Sequence, residues 1–322
     1  SAAYGICKET WRGEQGEEDG GDMAVKDMAA SILTRLKTQA KETGLTYQMC
    51  LQLFCQEEFL RKIEASRYSE NFILKGGMFL YTITEFAGRP TRDIDFMIRW
   101  ISNDTENMNQ IMEEICTANT GNDFIRIEVL ASENITEEKE YHGVKTKFRA
   151  YIKNVKIPFS IDVGVDYVIV PGAVKRTVST RLDGFHPPTI YTYSLESTIA
   201  EKFDAIIKRM EATSRMKDFF DIYYLSGVFD FEGRKLQEAI FRTLEYRGTI
   251  YESDSFERIR DFKNNTSLLK LWDNYQSGTR EDKPDFNVVI DRLEKFLEPI
   301  FHAVIMEEEW FCIWDSSVQK WL

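Results

Sequence analysis

Apolar residues recur at helical spacing over residues 24–43, where Met28, Ile32, Leu33 and Leu36 mark one face and Gly44 supplies a stop. A second helix is predicted over residues 47–65, with Leu51, Phe54, Phe59 and Ile63 turned inward. The pattern then changes character. Phe72-Ile73-Leu74, the turn Lys75-Gly76-Gly77 and the apolar run from Met78 to Ile83 read as strand, glycine turn and helix. The turn Arg89-Pro90-Thr91 leads into a strand carrying Asp93 and Asp95, and a helix follows near residues 104–119. Strand-like runs occupy residues 124–130, 144–154 and 156–170, and beyond Tyr193 the pattern is helical nearly to the end. These elements predict an α+β chain. A mixed β-sheet with flanking helices covers residues 23–185, a helical domain covers 186–322, and Gly184-Phe185-His186-Pro187-Pro188 joins them. Residues 1–22 are polar and glycine-rich without periodicity, the profile of a flexible tail ahead of Met23, a candidate natural start.

Charge and composition narrow the function classes. A net charge of -12 argues against an extended, sequence-independent grip on nucleic acid, which needs a basic surface to release counterions, and leaves room only for a local basic patch. Cys7, Cys50, Cys55, Cys116 and Cys312 are scattered and contain no CxxC pair, so neither a disulfide framework nor a zinc site is expected. His142, His186 and His302 give a Ser/His/Asp triad little material. No apolar run approaches the roughly 20 residues that span a bilayer, and no charged segment followed by an apolar block opens the chain, so a cytoplasmic protein without membrane contact is expected.

Carboxylates are the plentiful chemistry. On a strand, Asp93, Asp95 and Met97 share one face while Ile94, Phe96 and Ile98 take the other. Two carboxylates held together repel unless a cation lies between them, and oxygen donors at this spacing suit Mg²⁺ or Mn²⁺. The plain alternative makes Asp93 a turn residue and Asp95 a solvent-facing edge residue. Gly76 and Gly77 would let backbone amides approach a phosphate at a helix N-terminus, or simply form a βα turn. Asp162 lies opposite the apolar face Phe159, Ile161, Val163 and Val165, together with Ser160, Gly164 and Asp166. Either a functional role or an exposed antiparallel face accounts for it. After the cap-capable Ser194, the stripe Leu195, Ile199, Phe203 and Ile206 has Lys202 at its margin, placed to reach a phosphate or to snorkel to water. Asp218 and Asp221 share a helical face with Ile222 and Leu225, so they should be buried and need partners such as Arg215 or Lys202.

Taken in order, Leu74-Lys75-Gly76-Gly77-Met78, Arg89-Pro90-Thr91-Arg92-Asp93-Ile94-Asp95, Ile161-Asp162-Val163-Gly164, Ala200-Glu201-Lys202 and Arg215-Met216-Lys217-Asp218-Phe219-Phe220-Asp221 resemble the AbiEii/AbiGii toxin family of nucleotidyltransferases, over residues 24–225. The resemblance implies a DNA-polymerase-β-like core and a toxin of an abortive-infection or toxin–antitoxin system with a cognate antitoxin partner. The substrate would be a nucleoside triphosphate (NTP) with Mg²⁺ or Mn²⁺. It further implies Lys75, Gly76 and Gly77 at the phosphate turn, Asp93 and Asp95 as metal ligands, and Asp162 as the third carboxylate. Lys202 would contact phosphate, and Asp218 or Asp221 would complete the site. Gly77 departs from the serine that often follows the first glycine in such transferases. The family suggests the tRNA 3′ end as acceptor, for which Lys145, Lys147, Arg149, Lys153 and Lys156 are the best-clustered cations; a solvated ribbon face explains that cluster equally. Other readings are transfer to a small molecule or a protein hydroxyl, and a nucleotide-binding regulator without turnover. Beyond Phe231 no motif stands out, and a helical cap or partner surface is expected there.

Overall fold

The computed structural model describes residues 20–86, 90–135, 143–165, 168–275 and 283–322, with side chains from residue 27 onward. The tail expected over residues 1–22, like Cys7, Arg89, His142 and Asp166, falls outside these residues, except that the first helix already includes residues 20–22. That helix, α1 (Gly20–Thr43), ends at Gly44, whose φ of +75° is the left-handed conformation of a helix stop. In α2 (Tyr47–Ala65) the Thr46 hydroxyl accepts the Met49 N–H at 3.2 Å as an N-cap, and Leu51, Phe54, Phe59 and Ile63 are buried as the periodicity predicts.

The chain continues through β1 (Phe72–Lys75), α3 (Gly76–Ile83), β2 (Ile94–Ile98), α4 (Thr105–Thr117), β3 (Ile125–Ile135), β4 (Gly143–Ile152), β5 (Val155–Gly164), β6 (Val174–Thr177) and β7 (Thr189–Thr192). These strands form one mixed sheet of order β3-β4-β5-β2-β1-β7-β6. Its centre is apolar on both faces, since β1 and β2 bury nearly every residue, whereas β4 and β5 alternate. The inward face of that alternation is aromatic: Phe148 stacks on Phe159 at 5.0 Å and meets Phe59 of α2 edge-on at 5.1 Å. The sheet differs from the sequence expectation at one edge. β7 lies beyond the 184–188 segment expected to join core to helical half, yet it pairs in parallel with β1. A four-residue strand with few apolar positions carries too little period-two signal to be read in advance.

The helical half comprises α5 (Leu195–Arg209), α6 (Met216–Val228), the short β8 (Phe231–Glu232), α7 (Gly233–Tyr246), α8 (Ser255–Asp261), α9 (Thr266–Asn274) and α10 (Phe286–Ile305). It closes with β9 (Ile313–Asp315) and β10 (Lys320–Trp321), which pair with β8 in a small sheet. Trp314 is fully buried there, its indole donating to the Ser226 carbonyl at 2.7 Å. Among the described residues, Cys50, Cys55, Cys116 and Cys312 are free thiols, and no helix is long and apolar enough to cross a membrane.

One helix of the core carries a buried charge whose titration is measurable. Glu57 of α2 is buried; burial pushes its carboxyl up to about 7, although Arg61 lies 3.5 Å away and the Arg181 N–H donates to Oε2 at 3.2 Å. Its other oxygen accepts no hydrogen bond among the described residues. Because the folded value lies above the unfolded 4.5, this group's stabilising contribution is complete below that pH and is lost as pH rises through 7. The difference corresponds to about 3 kcal/mol. Urea unfolding at pH 5 and pH 8 should therefore show a pH-dependent loss that Glu57→Gln largely removes. A variant keeping the full wild-type slope would locate the loss elsewhere.

Candidate active site

Strand β2 runs between β1 and β5, and the register sets Lys75 opposite Asp95, Asp95 opposite Asp162, and Asp162 opposite Lys145. Cross-strand neighbours share a face, so these side chains form one row whose charges alternate outward from a carboxylate pair. Lys145 lies 3.3 Å from Asp162, and Lys75 donates to Glu201 of α5 at 3.0 Å. Burial pushes the Asp95 carboxyl up; Lys75 opposes this, and the charges of Asp162 and Asp93 add to it. Asp93 immediately precedes β2, is exposed, and donates its N–H to the Thr91 hydroxyl at 3.3 Å. Asp95 thus holds the central position of the row.

The glycine turn lies directly on that position. Gly76 has a φ of +68°, and a Cβ there would fall 2.2 Å from Asp95 Oδ2. Only glycine meets both the backbone and the space requirement. A Cβ at Gly77 would stand 2.9 Å from the Thr91 hydroxyl, which gives the departure from serine a steric basis. Lys75 caps α3 without a side-chain hydrogen bond, so the helix presents its positive end beside Asp95 without that competitor.

The helical half supplies the opposite wall. Ser194 caps α5, accepting the Ser197 N–H at 3.0 Å, and Ile199, Phe203 and Ile206 fill the core, with Leu195 partly buried. Lys202 turns inward rather than toward water. It donates to Asp221 at 2.6 Å and Asp218 at 3.3 Å, and Arg215 donates to Asp218 at 2.5 Å. Glu201 gathers Lys75, the Tyr193 hydroxyl at 3.0 Å and Arg247 at 2.9 Å, while Arg247 also meets Asp204 at 3.1 Å.

Between the walls is a cavity of about 380 Å³. Lys75, Lys202, Lys208, Arg209, Arg215, Lys217 and Arg247 line it against Asp95, Glu201, Asp204 and Asp218, so its lining is net cationic in a chain of net charge -12. Gly76 and Gly77 line it too. A cavity of this character suits a polyanion. A second cavity of about 120 Å³ shares Lys75, Asp95 and Arg247 with the first and adds Asp162, Ile135 and Val163. Asp95 therefore borders both spaces, Asp162 lines only the smaller, and Asp221 acts on the larger through Lys202. Within the basic cluster, Lys145 and Lys147 are paired with Asp162 and Glu133, and Lys153 and Lys156 are exposed, as on a solvated ribbon. Among the described residues, no three His, Cys, Asp or Glu side chains are grouped so as to hold a metal ion.

The model of the nucleotidyl transferase AbiEii toxin family, of type IV toxin–antitoxin systems, matches residues 58–299. The chain belongs to this family. The matched stretch contains the whole charged row, the glycine turn, Lys202, Asp218, Asp221 and Arg247, so in this AbiEii protein both cavities fall within the family region. Among solved structures, the chain is similar to MenT4, a nucleotidyltransferase toxin from Mycobacterium tuberculosis H37Rv (13% identity, TM-score 0.48, 85% of this chain and 99% of that one). It is also similar to JHP933 from Helicobacter pylori (14% identity, TM-score 0.45, 82% and 99%). Curated proteins give no match. Two site residues had no role assigned from the sequence. Glu201 lies in the Ala200-Glu201-Lys202 motif beside Lys202, and Arg247 reaches the site only through the packing of α7 on α5.

Proposed function

We propose that this AbiEii toxin transfers a nucleotidyl group from an NTP to the hydroxyl of an acceptor, with divalent metal, and that the acceptor is the 3′ end of a tRNA. The observation that carries the reading is the register of Asp95 with Asp162 beside Gly76, on the wall of a cation-lined cavity. The NTP occupies the larger cavity, its phosphates over Gly76 and Gly77 and opposite Lys202 and Lys217. The acceptor hydroxyl enters from the smaller cavity beside Asp162. Its oxygen attacks the α-phosphorus, the bond to the bridging oxygen breaks, and pyrophosphate leaves with that electron pair. Asp162 receives the hydroxyl proton, and the surrounding cations offset the charge that builds on the phosphates.

The donors are carboxylate oxygens, and the charges of Asp162 and Asp93 add to the penalty on ionised Asp95, which a hard cation would relieve, so Mg²⁺ or Mn²⁺ would be held by the register pair Asp95 and Asp162. When bound, the ion supplies Lewis-acid activation of the phosphate. Membership in a type IV toxin–antitoxin family supports a cognate antitoxin partner, and a toxin that uses NTP and tRNA would work in the cytoplasm.

Incubation with each α-labelled NTP, Mg²⁺ and total RNA should label tRNA and release pyrophosphate. Label appearing instead on protein or on a small molecule would replace the acceptor, and binding of NTP without any transfer would reject turnover.

A further inference from the structure

At the far end of β2 stands a surface that the proposed chemistry leaves unused. Trp100 is 76% exposed and has a φ of +65°, a conformation that bulky residues rarely adopt and that the surrounding structure must hold. The Arg99 guanidinium lies between two rings, 4.2 Å from the centroid of Trp100 and 4.4 Å from that of Tyr191. Its Nε donates to the Glu70 carbonyl at 2.8 Å, which fixes its plane. Lys175 continues the stack, 5.6 Å from the Tyr191 centroid. Among the described residues neither Arg99 nor Lys175 is ion-paired with a carboxylate, in a chain whose 53 acidic residues outnumber its 41 lysines and arginines.

The position of this stack relates it to the carboxylates. Met97, Ile73, Tyr191 and Lys175 are successive register partners, and Met97 and Ile73 each lie two residues along their strands from Asp95 and Lys75. Tyr191 and Lys175 therefore belong to the face of the sheet that carries Asp95. Arg99 is four residues beyond Asp95, about 13 Å along the strand.

We infer that Arg99, Trp100, Tyr191 and Lys175 form a docking surface for a single-stranded segment of nucleic acid, its bases stacking on Trp100 and its phosphates meeting Arg99 and Lys175. Every base has a π-face, so such a platform needs no particular sequence, and cations interleaved with aromatics are what a polyanion with flat bases requires. An apolar protein surface would gain little from two charges that have no carboxylate partner among the described residues. This surface deepens the tRNA reading, on which it rests only in taking the docked strand to be the acceptor.

The test measures binding without turnover, using Asp95→Asn as the background and a short labelled oligouridine as probe. Adding Trp100→Ala should weaken binding by about tenfold, whereas Trp100→Phe, which keeps a ring, should stay within about threefold. Added salt should weaken all three, and NTP affinity should be unchanged. Equal affinity for Trp100→Ala and its background, equal losses for Ala and Phe, or no binding in the background would each overturn the surface. If the wild type labels tRNA while Trp100→Ala binds oligouridine normally, the surface fails alone. If Trp100→Ala loses binding but the wild type labels no RNA, the surface stands and the acceptor assignment fails.

Discussion

Replacing Asp95 by asparagine is expected to lower nucleotidyl transfer by a factor on the order of 10³, the effect of removing a preorganised group at the reacting centre. Stability should move the other way. The Asp95 carboxyl is pushed up by burial and by its carboxylate neighbours, so its ionised form is disfavoured in the folded chain and its stabilising contribution fades as pH rises through the raised value. A neutral isostere escapes that penalty. Thermal unfolding of Asp95→Asn should therefore begin no lower than wild type at pH 8, with the wild type gaining relative stability as pH falls. Activity and stability that diverge mark a group retained for chemistry, in the sense that functional sites keep locally unfavourable residues. If both fell together in the melting and transfer measurements, Asp95 would be a structural residue and the proposed centre would be wrong.

The features legible in the sequence are those with local causes. The span of α2 follows from apolar spacing, and the strand, turn and helix around Gly76 follow from a short apolar run broken by two glycines. Asp162 stood out as a carboxylate central to an apolar run, but its role as cross-strand neighbour of Asp95 is a fact of register between strands far apart in the chain. Lys202 shows the limit most clearly. At a stripe margin a lysine can extend to water or turn inward, and only the placement of Asp218 and Asp221 on α6 decides between them. Arg247 had no local mark at all, since a basic residue just after a helix reads as a complement to the helix dipole. Long elements and steric exceptions are written locally, whereas the assembly of the cavity from α5, α6 and α7 over the sheet is a product of tertiary packing.

Lys202→Met should reduce both stability and transfer, and the two losses should be separable. The lysine is 11% exposed, and the carboxylates it meets, Asp218 and Asp221, are 1% and 3% exposed. Removing the ammonium takes a countercharge from two buried carboxylates and leaves Arg215 on Asp218, a change expected to cost about 3 kcal/mol in urea unfolding. Transfer should fall by about 10² or more, because the same ammonium lines the cation-rich cavity beside the glycine turn. The double variant Lys202→Met/Asp221→Asn removes the carboxylate 2.6 Å from the missing ammonium and should recover much of the lost stability. If Lys202 acts on the triphosphate, the double variant stays inactive with raised KM for NTP. Recovery of transfer along with stability would make Lys202 a structural counterion, and the phosphate contact would pass to Lys75, Lys217 or Arg247, the other cations of the same wall.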